Sequence, residues 1–509
     1  MRTWDGGGTD DNLTSAANWV DDIGPVAGDD LLFPPGKTRL SPINDFPSGT
    51  AFNSLIFSGT NYFLDGNVIA LNQGITATNA PGNMINNSLI LNSNQTFSVN
   101  VGDDNLYLLG GIDNKGRDLT LIVGLGSRVQ LVGLISGAGG LIKTGIGNAL
   151  LYGDNTFSGA VQIYEGTLSL YHGNALGAIS AGTTVAAGAT LNLANPITVA
   201  EPLVLAGALK SLGGQSKTWT GPLNLVGPGV NFTTEFGSFL ILNTVVSGAA
   251  GFTKTLPGTL VLNSNNTYTG LTTVDGGTLQ VNGFQPNNPI LFNQTTLAGK
   301  GTVGVVSVGG SLSKILNPGP AGGIGVLTCS NLTLSSSTSF QGELNGPVPG
   351  AGYDQVNVHG SVSLNNAGFS MVLGFAAPVG DSFIILNNDG NDPIIGTFNG
   401  LTNGAPVVVG AGLFRINYFG GDGNDIVLTR IRLPIQFEHA TRLANGQVQL
   451  RATGGFSGLT YTIEAATSLN PVVQWSNIGG ATANAGGALV FLDPNSSLIP
   501  IRYYRAVSP

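Results

Sequence analysis

At 509 residues the chain is too long for one compact core, which predicts several domains or one extended repeat fold. Charged residues make up only 9% while hydrophobic residues make up 42%, and this combination excludes the disordered class. The net charge of −9 without a basic stripe argues against nucleic acid as a partner. Since no apolar run approaches the roughly 18 residues that a membrane span needs, we expect no membrane-spanning segment.

Residues 1–50 are predicted to form a cap, because a solenoid needs an atypical terminal unit to cover its open core. Trp4 and Trp19 supply two large aromatic side chains for that purpose. The opening residues show no signal peptide, so we expect that the sequence is a mature or truncated form whose numbering restarts after the removed segment. A calcium site is the alternative use of the acidic turns, at Asp10, Asp11, Asp21, Asp22, Asp29 and Asp30.

Residues 51–310 are predicted to form a parallel β-helix, since short apolar runs alternate with Gly, Asn or Asp and no helical periodicity is sustained. Two stretches, 135–170 and 246–281, match without a gap at a constant offset in numbering. The offset corresponds to about five coils if one coil takes roughly 20–25 residues. The recurring framework consists of Lys143, Asn155, Gly159 and Gly166, which return as Lys254, Asn266, Gly270 and Gly277.

Within one copy, alternation along a strand predicts Leu260 and Leu262 inside and Val261 outside. Corner glycines allow tight bends, and Asn155 and Asn266 are expected to bond the backbone or to stack as an asparagine ladder. The two recurring lysines are expected at turns or on the surface.

Residues 311–430 keep the strand rhythm without the repeat, and we interpret them as the last coils, widening into a sandwich-like cap. The only cysteine, Cys329, lies in a strand-like run and is expected to be buried rather than reactive. After Arg432-Leu433-Pro434, residues 434–509 hold five or six strands, which predicts a small antiparallel β-sandwich of immunoglobulin or fibronectin III type with Trp475 in its core.

The KTG…GTLVL…NNTYTG…GGTL pattern resembles the autotransporter-associated β-strand repeat of secreted bacterial passenger proteins. The TWDGGG opening, the GYDQVNV and GGDGNDIVLTR stretches and the C-terminal module resemble parts of secreted proteins of planctomycete and verrucomicrobial type. The resemblance implies a right-handed parallel β-helix, outside or on the surface of a Gram-negative-type bacterium, and no single activity. The predicted fold is therefore all-β: this solenoid followed by the sandwich.

Candidate chemistry is sparse. Gly420–Asp425 matches one calcium-binding GGxGxD turn, with Asp422, Asn424 and Asp425 as ligands, and the alternative is a plain Gly-rich turn. Asp389 and Asp392 form a second acidic turn. The acids available for a glycosidase pair are Asp154, Glu165 and Asp275, and the three histidines, His172, His359 and His439, are far apart in sequence.

Aromatic side chains offer stacking surfaces for sugar rings, at Tyr152, Phe157, Tyr164, Tyr171 and Tyr268. Phe157 and Tyr268 occupy equivalent repeat positions, which favours a core role for both. We therefore predict a non-catalytic structural or adhesive β-solenoid that binds its own copies in head-to-tail fibres or a surface polysaccharide. The alternatives are a polysaccharide-active enzyme and a glycan-binding module, and no cofactor other than calcium is expected.

Overall fold

The computed structural model describes residues 1–78, 80–100, 102, 105–320, 322–432, 434–470, 472–499 and 501–507. Leu433, part of the predicted domain boundary, and residues 508–509 lie outside this range. The chain divides into two compact units, Met1–Leu297 with Gly301–Leu312 and Ala298–Lys300 with Ser313–Pro509. Helical structure in the described ranges is limited to three short 3-10 segments, Ala16–Asn18, Val20–Asp22 and Ser496–Leu498. None of these helices has the length and apolarity to cross a membrane.

The first unit is a parallel β-solenoid whose strands stack into sheets. The first sheet contains Arg2–Thr3, Asp30–Phe33, Thr50–Phe57, Ile69–Ala77, Gln95–Val99, Leu119–Val123, Leu141–Thr144, Val161–Ile163, Thr183–Val185, Leu203–Leu205, Leu223–Leu225 and Val246–Ser247, with a branch of Leu89–Leu91, Ile112–Asp113 and Ile135–Ser136. The second contains Ile43–Asn44, Phe63–Gly66, Asn83–Ile85, Asn105–Leu108, Arg128–Leu131, Asn148–Leu151, Thr167–Leu170, Thr190–Leu193, Ala208–Ser211, Asn231–Thr234, Phe252–Thr255, Thr272–Val274, Ile290–Phe292 and Val306–Val308.

A third sheet contains Thr198–Val199, Gln215–Trp219, Ser238–Leu242, Thr259–Leu262 and Thr278–Val281. Phe284–Gln285 pairs with Thr302–Val303 in a further sheet, and the residues of the strand Thr296–Gly299 are divided between the two units after Leu297. One coil separates strand partners in the first sheet, where Leu141 pairs with Val161 and Val161 pairs with Thr183. The predicted coil length is thus confirmed.

Inward-facing side chains stack in straight rows because each coil lies in register on the next. One row in the second sheet runs through Val129, Ala149, Leu168, Leu191, Leu209 and Phe232, all of them buried. Leu260 and Leu262 face inward as predicted, but Val261 is only 7% exposed. Its register partners in the neighbouring coils, Ile241 and Gln280, cover it, since adjacent parallel strands are only about 4.8 Å apart.

The two repeat copies occupy different sheets. Leu141–Thr144 of the first copy lies in the first sheet, whereas the equivalent Phe252–Thr255 lies in the second. Likewise Asn148–Leu151 lies in the second sheet and the equivalent Thr259–Leu262 in the third. Between the two copies the chain therefore advances by five full coils and then by one more side of a coil. As a result, the two copies present their surfaces in different directions.

Aromatic packing fills the N-terminal end of this unit. The Trp4 and Trp19 rings meet edge to face at 5.4 Å, both are fully buried, and Phe33 lies within 6.4 Å of each. Each indole nitrogen donates to a backbone carbonyl, Trp4 to Arg39 at 2.9 Å and Trp19 to Leu13 at 2.8 Å. Both tryptophans therefore cover the core, as their position predicts.

The second unit begins with parallel coils and continues with antiparallel strands. Its parallel strands are Lys314–Pro318, Thr338–Leu344 and Gly368–Leu373; Val326–Cys329, Gln355–Val358 and Ser382–Asn388; and Leu332–Thr333 with Val362–Ser363. Asp425–Arg430, Gly412–Gly420 and Pro406–Val409 then add to Ser382–Asn388 in antiparallel order. Cys329 is 1% exposed and burial raises the pKa of its thiol to about 12, which confirms its core role.

Two three-stranded antiparallel sheets follow, as predicted. They consist of Gln436–Arg442, Val448–Thr453 and Leu489–Asp493, and of Ser476–Thr482, Thr460–Ala466 and Tyr503–Val507. The prediction that Trp475 fills the core was wrong. Its ring is half-buried beneath the Arg505 guanidinium, 4.6 Å away, while Tyr461 is fully buried and accepts the Phe456 amide at 3.0 Å.

Candidate functional site

The recurring lysines lie inside the solenoid, which corrects the expectation of turn or surface positions. Lys143 and Lys254 are both 0% exposed. The Lys254 ammonium donates to the carbonyls of Thr255, Leu256 and Gly276 at 3.0, 2.7 and 2.9 Å. Three acceptors match the three donors of an ammonium group. Each lysine thus binds the inside of a turn and joins it to the next coil.

The first copy repeats this arrangement. Lys143 donates to Thr144 O at 2.9 Å, to Glu165 O at 3.1 Å and to Gly145 O. Burial lowers the pKa of Lys143 to about 8, with the Glu165 carboxylate acting in the opposite direction, and lowers the pKa of Lys254 to about 7. Lys217, which no repeat match singled out, makes the same kind of contact with the carbonyls of Leu212 and Gly214.

The recurring asparagines connect successive coils. Asn155 Oδ1 accepts the Ile135 amide at 2.8 Å and its Nδ2 donates to Ala175 O at 2.7 Å. Asn266 Oδ1 accepts the Val246 amide at 2.9 Å, but its Nδ2 donates to the Gln285 side chain at 2.6 Å. The predicted backbone bonds are confirmed.

The asparagine ladder forms at another corner of the coils. There Asn263 donates to Asn243 and Asn282 donates to Asn263, both at 2.7 Å. These three side chains are not among the repeat framework positions.

The recurring glycines are positions of close backbone approach. A Cβ on Gly159 would lie 2.3 Å from the Gly139 carbonyl carbon, and one on Gly270 would lie 1.9 Å from the Gly251 nitrogen. Gly166 and Gly277 have φ of +67° and +70°, which side-chain-bearing residues rarely adopt. The eight framework residues therefore form a scaffold and leave no side chain free for chemistry.

The two acidic turns of the second unit contact each other. Asn424 Nδ2 donates to the carbonyls of Gly390 and Asp392 at 2.6 and 3.0 Å, and Asp425 Oδ1 accepts the Asn388 amide at 2.9 Å. Asp422 is exposed. Across the described ranges no three His, Cys, Asp or Glu side chains are grouped to hold a metal ion. The calcium site stays a prediction, and Asn424 and Asp425 have a structural use without it.

Several of the N-terminal acids also have protein partners. Asp10 accepts from Ser15 Oγ at 2.9 Å, and hydrogen bonds from Ser15 and Asn12 lower the pKa of its carboxyl group. Asp29 pairs with Arg2 at 3.2 Å, and Asp11 pairs with Arg39 at 2.9 Å. These carboxylates hold the turns of the cap.

The acids considered for catalysis lie at three separate turns. Asp154 accepts from Asn174 at 2.8 Å, Glu165 from the Gly145 amide at 3.0 Å, and Asp275 from Asn293 at 2.6 Å. The histidines are also dispersed: His172 lies 3.6 Å from Asp154, His359 contacts Asp389, and His439 is exposed on the strand Gln436–Arg442.

Two buried acids without an ion-pair partner in the described residues escaped the sequence reasoning. Glu201 is 3% exposed with one carboxylate oxygen unpartnered, and burial raises its pKa to about 7. It precedes Leu203 by the same spacing at which Gly221 precedes Leu223, so an acid at a glycine position was the available signal. Asp354 is fully buried, accepts two backbone amides, and has a pKa raised by burial to about 7.

The aromatic candidates separate into two groups. Phe157 and Tyr268 are fully buried, which confirms the core role predicted for them. Tyr152 and Tyr171 stack at 4.1 Å and are half-buried, while Tyr164 is 51% exposed. Only the last three are accessible for stacking on a sugar ring.

Known proteins resemble this chain in its repeats and along much of its length. The Passenger-associated-transport-repeat family matches residues 141–170 and 252–281. The chain is 30% identical over 378 residues to the adhesin BmaC autotransporter of Brucella suis biovar 1 (strain 1330), which covers 72% of this chain and 10% of the adhesin. It is 40% identical over 108 residues to an extracellular serine protease of Serratia marcescens, covering 20% of this chain and 10% of the protease.

The chain thus spans about a tenth of the length of each of these relatives. The two family matches contain the buried Lys143 and Lys254 and their turns, so the residues of the family pattern are those that hold the scaffold together. The chain is an autotransporter-passenger-like β-solenoid with distant similarity to an adhesin, and this likeness implies a secreted or surface location in Gram-negative bacteria.

Proposed function

We propose that this chain is a non-catalytic adhesive β-solenoid of a bacterial surface. The observation that carries the proposal is the similarity to an adhesin over 72% of the chain. The similarity extends far beyond the two repeat matches, so it is not a consequence of the shared repeat alone.

The use of ionisable groups supports a non-catalytic role. The ammonium groups of Lys143 and Lys254 donate hydrogen bonds to turn carbonyls. The carboxylates of Asp154, Glu165 and Asp275 each accept a hydrogen bond from a different neighbour. A glycosidase needs two carboxylates held about 5–10 Å apart with opposed roles. The first unit instead offers stacked coils with a sparsely charged surface, which suits contact with an uncharged partner.

The test is adhesion by the purified full chain. Beads coated with it should be retained on cell surfaces or matrix-coated wells at several times the level of beads coated with albumin. Electron microscopy of the same protein reports whether copies associate end to end. A surface polysaccharide and further copies of this chain are the proposed partners.

A parallel assay addresses catalysis. The protein is incubated with a polysaccharide panel, and reducing ends and unsaturated products are measured. Release of either product above a heat-denatured control would overturn the non-catalytic proposal. Retention no better than that of albumin beads would overturn adhesion.

A further inference from the structure

A cavity of about 250 Å³ with amide and hydroxyl side chains in its walls opens beside the second repeat copy. Its walls include Asn265, Asn266, Tyr268, Phe284, Gln285 and Asn288, and every residue of the lining is uncharged. It lies below the roughly 300–1,000 Å³ of pockets for drug-sized ligands, so it suits a single small ring.

Three side chains of the lining belong to one chain of hydrogen bonds. Asn266 donates to Gln285, Gln285 Nε2 donates to the Tyr268 hydroxyl at 3.2 Å, and that hydroxyl meets Thr272 Oγ1 at 2.7 Å. Burial raises the pKa of Tyr268 to about 12, and these neighbouring groups, with Asn288, oppose the shift. The phenol therefore stays neutral and fixed in orientation.

One polar group in this cavity is only partly satisfied by the protein. Asn288 is 1% exposed; its side chain acts on the Tyr268 hydroxyl and lowers the pKa of that phenol, but its Nδ2 has no hydrogen-bond partner of full geometry within the part of the chain that the structure describes. An amide nitrogen has two N–H donors, so this side chain has the capacity to bind an acceptor from outside the chain. Phe284 lies at the same cavity and is 55% exposed.

The scaffold does not require this polarity. At the positions equivalent to Tyr268 and Thr272, the first copy has Phe157 and Val161, both buried and apolar. The first copy also satisfies its corner asparagine with the backbone carbonyl of Ala175, where the second uses Gln285. The Tyr268 and Thr272 hydroxyl groups and the Gln285 amide are thus specific to the second copy, since the first copy stacks its coils without them.

We propose that this cavity binds one neutral pyranose ring of a surface polysaccharide. Hydroxyl groups both donate and accept, which matches the amides of the lining, among which Asn265 and Asn287 are exposed, and the exposed Phe284 ring offers a stacking surface for the C–H face of a sugar. An anionic sugar would find no cation in the lining. This assignment rests on the proposed adhesive function, since it names the ligand through which adhesion takes place.

The experiment uses the full chain on an array of neutral oligosaccharides ending in glucose, galactose, mannose or their N-acetylamino forms. Affinity for each bound glycan is then measured by calorimetry for the native chain, Phe284→Ala, Asn288→Ala and Phe236→Ala. Phe236 is 84% exposed at a different turn and is the matched control. We expect binding by the native chain, a loss of about tenfold or more in Phe284→Ala and Asn288→Ala, and no change in Phe236→Ala.

Absence of binding to every glycan, or equal affinity in Phe284→Ala and the native chain, would overturn this site. Phe284→Ala keeps the test valid if Asn288→Ala does not fold, because Phe284 is exposed. Bead adhesion by the same proteins separates the two proposals. Adhesion that persists without glycan binding overturns the cavity alone, whereas the loss of native adhesion overturns the proposed function.

Discussion

A lysine without a carboxylate partner is an unusual core residue, because burying a charge is costly unless its donors are satisfied. In this chain hydrogen bonds to backbone carbonyl groups offset that cost. The turn after each repeat strand points several carbonyl oxygens inward, and Lys254 bonds three of them. The side chain therefore acts as an internal clamp on a turn that has few other means of holding its carbonyls.

Replacing this clamp should destabilise the solenoid. Lys254→Met keeps the buried stem but leaves three inward carbonyls without a donor, and we expect a loss of about 2–4 kcal/mol in the free energy of unfolding. Urea unfolding followed by circular dichroism measures it. The control is Lys115→Met, since the Lys115 side chain is 57% exposed and makes a surface ion pair with Asp113. Equal midpoints for the two variants would contradict the clamp.

The sequence identified this position but not its environment. Recurrence of Lys143 and Lys254 showed that the residue type matters, whereas lysine is ordinarily an exposed residue. Burial depended on carbonyls from the following turn and from the next coil, 22 residues away in sequence. Such acceptors cannot be deduced from local spacing. For the same reason the sequence did not predict the burial of Glu201, whose carboxylate contacts Thr183 of the preceding coil.

At the scale of the structural element, glycine determines how closely the backbones of two coils approach each other. Gly270 and Gly229 both have backbone angles open to other residues, but a Cβ on Gly270 would meet the Gly251 backbone at 1.9 Å, while one on Gly229 has its nearest neighbour at 3.6 Å. The clash involves main chain rather than a flexible side chain. Relief of the clash requires movement of the coil itself.

We therefore expect Gly270→Ala to lower the free energy of unfolding by about 3 kcal/mol and Gly229→Ala to change it by less than about 0.5 kcal/mol. Thermal and urea unfolding of the two full-length variants provide the comparison. A Gly270→Ala protein as stable as Gly229→Ala would show that the corner can expand and that the glycine is not required there.

The C-terminal sheets give a second contrast between similar side chains. Tyr461 is fully buried and packs with Leu450, Ile463 and Leu489, whereas Trp475 is half-buried beneath Arg505. Tyr461→Ala should cost about 3–5 kcal/mol and Trp475→Ala clearly less. Unfolding monitored by near-ultraviolet circular dichroism tests this order. A larger loss for Trp475→Ala would restore the sequence-based assignment of that tryptophan to the core.

Strand positions at this scale were well predicted because each depends on local alternation and on turn residues. The five C-terminal runs read from the sequence all appear as strands, preceded by Gln436–Arg442. The core aromatic was mispredicted because the choice between Tyr461 and Trp475 depends on which face of which sheet closes on the other. Alternation within a strand contains no information about that closure.

At the scale of the whole molecule, the repeat, the rhythm of short strands and the family resemblance together predicted a solenoid, and the structure confirms it. The repeat did not predict that the copies lie on different faces. When a coil has three similar sides, moving the repeat from one side to the next leaves every inward-facing side chain facing inward. The surfaces of the copies were consequently free to differ, as the equivalent pair Tyr164 and Asp275 shows.

Buried ionisable groups also determine how the stability of the molecule depends on pH. Glu201 and Asp354 have folded pKa values raised to about 7, so between about pH 4 and 7 the folded chain binds more protons than the unfolded chain and stability falls as pH rises. Lys143 and Lys254 have folded pKa values lowered to about 8 and 7 from 10.5, so above pH 7 the unfolded chain binds more protons and stability rises.

The free energy of unfolding should therefore pass through a minimum near pH 7, with a change of about 1.4 kcal/mol for each unit of pKa shift in each group. Urea unfolding from pH 4.5 to 9.5 measures the profile and stays below the range in which buried tyrosines ionise. Glu201→Gln should flatten the acidic side and Lys254→Met the basic side, each leaving the other side in place. A maximum near pH 7 in the native chain would mean that both sets of groups are solvated more fully than their burial indicates.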